Sequence, residues 1–131
     1  MEKCEITIWT HSEGKMTHIR TVGTEERTQD GFRLSYFQEG DPVFLDACGD
    51  VLSVTRGGGF PFSLSCKQGE ETALVLRLGD DEGSVPVFTH RCGVHSASDG
   101  TGIRLDYEVR YPGRFQKISM KIKVKIISEE K

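Results

Sequence analysis

The sequence predicts an all-β fold: a single antiparallel up-and-down β-barrel of about eight to ten strands. Three observations predict it. Apolar and polar residues alternate at period two in one segment after another. Turn-forming groups rich in Gly, Asp and Pro punctuate those segments at short intervals. No window carries an apolar stripe at helical spacing behind a capping residue. Strands with one apolar face each must share a core, and closing the sheet removes its edges.

The elements follow in order. "CEITIW" places Cys4, Ile6 and Ile8 on one face, and "FRLSYF" groups Phe32, Leu34 and Tyr36. "VFLDACGDVLSVTR" reads as a hairpin turning at Gly49-Asp50. With those two residues as the loop, Cys48 faces Val51, Ala47 faces Leu52 and Leu45 faces Val54. Pairing and alternation then put the same residues inside. "TALVLRL" sets Leu74, Leu76 and Leu78 on one side, with Val75 making the strand apolar on both.

The last third alternates Ile103, Leu105, Tyr107 and Val109 against Arg104, Asp106, Glu108 and Arg110. Beyond Pro112-Gly113 it alternates again, from Ile118 to Ile126 against Lys117, Ser119, Lys121, Lys123 and Lys125. A turn centred on Pro-Gly pairs Ile103 with Ile122, Leu105 with Met120, Tyr107 with Ile118 and Glu108 with Lys117. Further turns are expected at Ser12–Gly14, Asp30-Gly31, Gly40–Pro42, Gly57–Gly59, Gln68-Gly69, Asp80–Gly83 and Asp99-Gly100.

At 131 residues the chain fits one domain, 1–131. That length buries roughly two-thirds of the unfolded surface, so neither a metal nor a disulfide staple is needed. The net charge of −3 brings no global basic excess for nucleic acid. The apolar runs are too short for a transmembrane helix, so no membrane partner is expected. "MEKCEITIWT" lacks the apolar stretch of a secretory signal. The four cysteines, Cys4, Cys48, Cys66 and Cys92, are widely spaced, which fits free thiols in a reducing cytoplasm.

In order and spacing, "CEITIW", "DGFRLSYFQ", "GDVLSVTRGG", "PVFTH" and "IRLDYEVRY…KISMKIKVKI" resemble the YwiB-like family of bacterial proteins. The likeness spans nearly the whole chain and implies a calycin-like (lipocalin-like) barrel. It implies no activity, substrate or catalytic residue. Lipocalins carry a G-x-W signature on the first strand, whereas Trp9 here follows Thr7 and Ile8. Extracellular carrier function is therefore not carried over.

"THRCGVHS" brackets Cys92 with His90 and His95, the residue types of a metal site. As a strand it sends Phe88, His90, Cys92 and Val94 one way, towards the core, and His95 the other unless Gly93 marks a bulge. Two ligands fall short of the three or four a metal needs, so the segment reads as a strand and no metal or cofactor is expected. "TRGGGF" lacks the Lys-Ser/Thr of a phosphate loop and reads as an inter-strand loop. Glu25-Glu26, Glu70-Glu71 and Asp80–Glu82 are adjacent carboxylates whose side chains diverge, and they read as solvated. No catalytic motif is present, and none is assigned.

The lysines of the last strand argue only weakly for nucleic acid. No aromatics interleave with them apart from Phe115, and Asp106 and Glu108 fall on the same face and offset their charge. The barrel interior remains. Its polar groups, Tyr36, Arg56, His90 and Tyr107, are the candidate ligand-binding residues. Arg56 must reach solvent at the barrel mouth or find an anionic partner. Two functions stay open: a non-enzymatic binder of a small apolar or acidic molecule, and a protein-interaction module with a filled barrel. A strand left over in an incompletely closed barrel would offer a pairing surface between subunits.

Overall fold

The computed structural model describes residues 1–97 and 100–127. They form ten strands: β1 (Glu2–Ser12), β2 (Lys15–Arg27), β3 (Gly31–Gln38), β4 (Asp41–Cys48), β5 (Val51–Arg56), β6 (Phe62–Lys67), β7 (Glu71–Leu78), β8 (Asp81–Ala97), β9 (Gly100–Tyr111) and β10 (Arg114–Ile126). Each pairs with its neighbour in sequence, and β10 returns to β1, closing an antiparallel up-and-down barrel. No helix among the described residues is long and apolar enough to cross a membrane.

Both hairpin registers hold. Cys48–Val51, Ala47–Leu52 and Leu45–Val54 are paired. So are Ile103–Ile122, Leu105–Met120, Tyr107–Ile118 and Glu108–Lys117. The expected turn at Asp99-Gly100 involves Asp99, which lies outside the described residues, as does the side chain of Leu78.

The two ends of the barrel differ. The end holding the turns after β2, β4 and β6 is closed to solvent: Cys4, Ile6, Leu34, Leu52, Cys66, Ile103 and Val124 are each at most 1% exposed. Towards the other end, which holds the turns after β1, β3, β5, β7 and β9, Thr10, Gln38, Val54, Tyr107, Ile118 and Met120 are only half-buried. A filled floor under an open mouth is the shape that positions the site.

Three expectations need correction. The register between β8 and β9 slips between Thr89 and Arg91, so His90 is the extra residue of a β-bulge. The slip reverses alternation: Val87 and Thr89 point inward before it and Cys92 packs against the core after it, while Phe88 and His90 turn outward. His90 is therefore no interior residue, and it does not share a face with Cys92. Gly93 pairs regularly with Arg104 and marks no bulge.

Glu25 is the third correction. Glu26 is exposed, but Glu25 faces inward near the closed end, 3% exposed, its Oε2 without a hydrogen-bond partner among the described residues. The strand continues to Arg27, so alternation carries one carboxylate inside.

Candidate functional site

A cavity of about 110 Å3 opens at the half-buried end, walled by Ile8, Ile19, Val54, Leu64, Met120 and Ile122, with Tyr36 and Tyr107 among its lining. Thr10 and Gln38 supply further polar groups. An apolar cavity near 150 Å3 holds one benzene molecule, whereas drug-sized ligands need some 300 Å3 or more. The space therefore suits one ring or a short alkyl chain, and anything longer must project through the mouth.

The tyrosines are set by strand alternation. Tyr36 lies opposite Val43 on β4, and Tyr107 lies between Ile118 on β10 and Thr89 on β8. Neither hydroxyl has a hydrogen-bond partner among the described residues, although a buried tyrosine usually finds one. Burial raises the pKa of both; Arg56 partly opposes this at Tyr36, and the neighbouring Cys66 and Tyr111 add to it at Tyr107. Both hydroxyls thus keep their protons at neutral pH and remain donors.

Arg56 ends β5 at the mouth, and it has found its anionic partner. Its Nη2 donates to Asp41 Oδ2 at 2.9 Å and its Nε to the same oxygen at 3.2 Å. The exposed Glu39 stands 3.8 Å away. Asp41 Oδ1 accepts the Gly59 amide at 3.1 Å. The Gly59 amide first, then the Arg56 guanidinium, holds the Asp41 carboxyl below its ordinary range.

The central glycine of the run is thereby explained. Gly58 has φ +80°, and a Cβ there would meet Asp41 Oδ1 at 2.2 Å. The loop amide receives an anion, but the anion is the protein's own Asp41. An acidic ligand head would have to compete with it for Arg56.

His90, expected beside these groups, sits outside. Its Nε2 lies 3.3 Å from Glu108 Oε1, and its ring meets Phe88 edge-on at 4.9 Å. The bond from His90, then the Arg110 guanidinium at 3.1 Å, lowers the Glu108 pKa. Asp106 is engaged as well, with Arg104 at 3.4 Å, Arg91 at 4.0 Å and Ser119 at 2.5 Å. These carboxylates therefore serve β8 and β9 cations, not the β10 lysines that alternation set beside them. Cys66 and Cys4 are buried thiols pushed up to about 11.

Sequence reasoning found Tyr36, Arg56 and Tyr107 and missed Thr10, Gln38 and Ile19. Gln38 follows Tyr36 at period two, so alternation alone could have placed it inside.

No family model matches the chain, and no curated protein matches its sequence. Among solved structures, the crystal structure of ywiB protein from Bacillus subtilis superposes with a TM-score of 0.79 at 16% identity, covering 96% of this chain and 91% of that one. At that identity the likeness carries the fold and nothing finer. The chain thus shares the barrel fold of the ywiB protein.

Proposed function

We infer that this protein is a non-enzymatic binder of a small, largely apolar molecule held in the open half of a calycin-like barrel. One observation carries the reading: the core is closed to solvent at one end, while the other keeps a cavity whose two tyrosine hydroxyls have no hydrogen-bond partner among the described residues. A neutral ligand accepting a hydrogen bond from Tyr36 or Tyr107 suits it better than an acid, because Asp41 already neutralises Arg56. Four free thiols support a reducing cytoplasm as its setting.

The test is a methyl-resolved NMR titration with benzene and phenol. Shifts confined to methyls of Ile8, Val54 and Ile122, and lost in a cavity-filling Val54→Trp variant, are the expected result. Shifts spread over the surface, or unchanged in that variant, would refute the reading.

A second reading, a protein-interaction module, has its own support. β2 pairs with β3 only over Thr24–Arg27, and Lys15–Gly23 show no ladder partner on that side among the described residues. Antiparallel pairing with a second copy about Ile19 would set exposed Met16 against exposed Val22 at both ends. Light scattering on the wild type and on Ile19→Pro, which cannot donate to such a ladder, checks it. A dimer that the substitution dissolves supports this reading, and a monomeric wild type refutes it.

A further inference from the structure

The barrel's outer wall carries a feature that no single strand displays. Across five adjacent strands, directly opposed residues line up as His18, Trp9, Lys121, Arg104 and Gly93. The next outward-facing row reads Arg20, Thr7, Lys123, Gly102 and His95. These two rows hold four fixed cations, two histidines and one tryptophan, and no carboxylate. At ~4.8 Å per strand each row spans about 19 Å.

Lys121 stands directly opposite Arg104, a like-charge cross-strand pair that costs stability in the absence of an anion. Among the described residues, two carboxylates beside the rows pair with their cations. Asp106 is shared between Arg104, Arg91 and Ser119, and Glu5 lies 4.0 Å from Arg20. Over Gly102 a groove of about 430 Å3 opens among His95, Arg104, Lys121 and Lys123. The His95 imidazole forms one wall by lying against Gly102, where a Cβ would fall 2.3 Å from its Nε2. Beside it Trp9, half-buried, stacks on His18 at 5.4 Å and 17°.

We propose that this face binds single-stranded nucleic acid, with Lys121, Lys123, Arg104 and Arg20 contacting phosphates and Trp9 stacking a base. A basic groove beside a stacking aromatic is the arrangement that recognises such strands without reading sequence. The charge is local, since the chain as a whole carries −3. Trp9 supplies the aromatic that the lysine strand itself lacks. This face is separate from the interior cavity, and neither proposal depends on the other.

Trp9 is the sole tryptophan in the chain, so its fluorescence reports directly on the face. The full chain is titrated with a thymidine dodecanucleotide, with thymidine monophosphate and with inorganic polyphosphate, at several salt concentrations. The dodecanucleotide is expected to quench Trp9, with log affinity falling linearly against log salt. The slope should shrink by about 0.7 for each lysine removed in Lys121→Gln and Lys123→Gln. By anisotropy of a labelled oligomer, Trp9→Leu should weaken binding on the order of tenfold, while Trp9→Phe retains most of it. Equal binding of polyphosphate without quenching, equal affinity for the monophosphate, or no salt-sensitive binding at about 50 mM salt would each overturn the proposal.

Discussion

Arg56 and Asp41 meet at 2.9 Å where β5 and β4 reach the barrel mouth, their side chains only 13% and 19% exposed. Asp41 also ties down the glycine loop through the Gly59 amide, so it does two jobs and Arg56 one. Asp41→Asn leaves a nearly buried guanidinium with only the Gln38 carbonyl at 3.5 Å and the exposed Glu39 at 3.8 Å, whereas Arg56→Met leaves a carboxylate that the loop amide still satisfies. Thermal unfolding should therefore show a larger loss for Asp41→Asn. Amide exchange at Gly59 should accelerate in that variant and not in Arg56→Met.

The filled and open halves should respond differently to truncation. Leu52, 1% exposed, sits in the packed end, and Leu52→Ala should cost about 2–5 kcal/mol in denaturant unfolding. Val54, two residues on along the same face, already borders the cavity. Val54→Ala should cost less than about 1.5 kcal/mol, and Val54→Leu, which adds volume towards free space, should be tolerated. Equal costs for the two alanine variants would mean the open half is as tightly packed as the floor.

The cavity tyrosines predict an alkaline limb. Burial raises both pKa values above the ordinary 10.0. The unfolded chain therefore releases these protons first, so the stability they contribute is intact below about pH 10 and is lost as pH rises beyond it. Tyr107→Phe should flatten that decline in a denaturation series taken from neutral to alkaline pH.

Glu108 predicts the opposite limb. Its pKa lies below the ordinary 4.5 because His90 and Arg110 stabilise the carboxylate. Its contribution is present above that ordinary value and fades as pH falls through the lowered one. Glu108→Gln should flatten the acid side of the stability profile while leaving the alkaline side unchanged.

The legible parts of the fold were those where two independent constraints coincide. In β4–β5 and β9–β10 the turn residues fix a pairing that places the same apolar residues inside as alternation does. β2 offered no such signal, because its inward positions include Lys15, Thr17, Thr21 and Glu25. Lys15 and Thr17 line a polar rim and Glu25 buries a carboxylate, so no apolar stripe forms. The bulge at His90 was equally silent, since no glycine or proline marks it. Its effect was to send His90 and Phe88 to the wrong side.

At the candidate site, alternation sufficed for Tyr36 and Tyr107. For Arg56 the need of an anion was legible but its identity was not, because Asp41 reaches it from the preceding hairpin, with the glycine loop holding that carboxylate in place. The basic rows were the least legible. They depend on the registers of five strands whose contributing residues run from Thr7 to Lys123.

If the open half of the barrel holds a small molecule, that molecule should travel with the purified protein. Native mass spectrometry of protein purified from its own cells, set against its denatured mass, tests it most directly. The wild type should carry an excess mass of one small organic molecule per chain, absent from the Val54→Trp variant prepared in the same way. A bare polypeptide mass in the wild type, or an excess that survives in the filled variant, would contradict it.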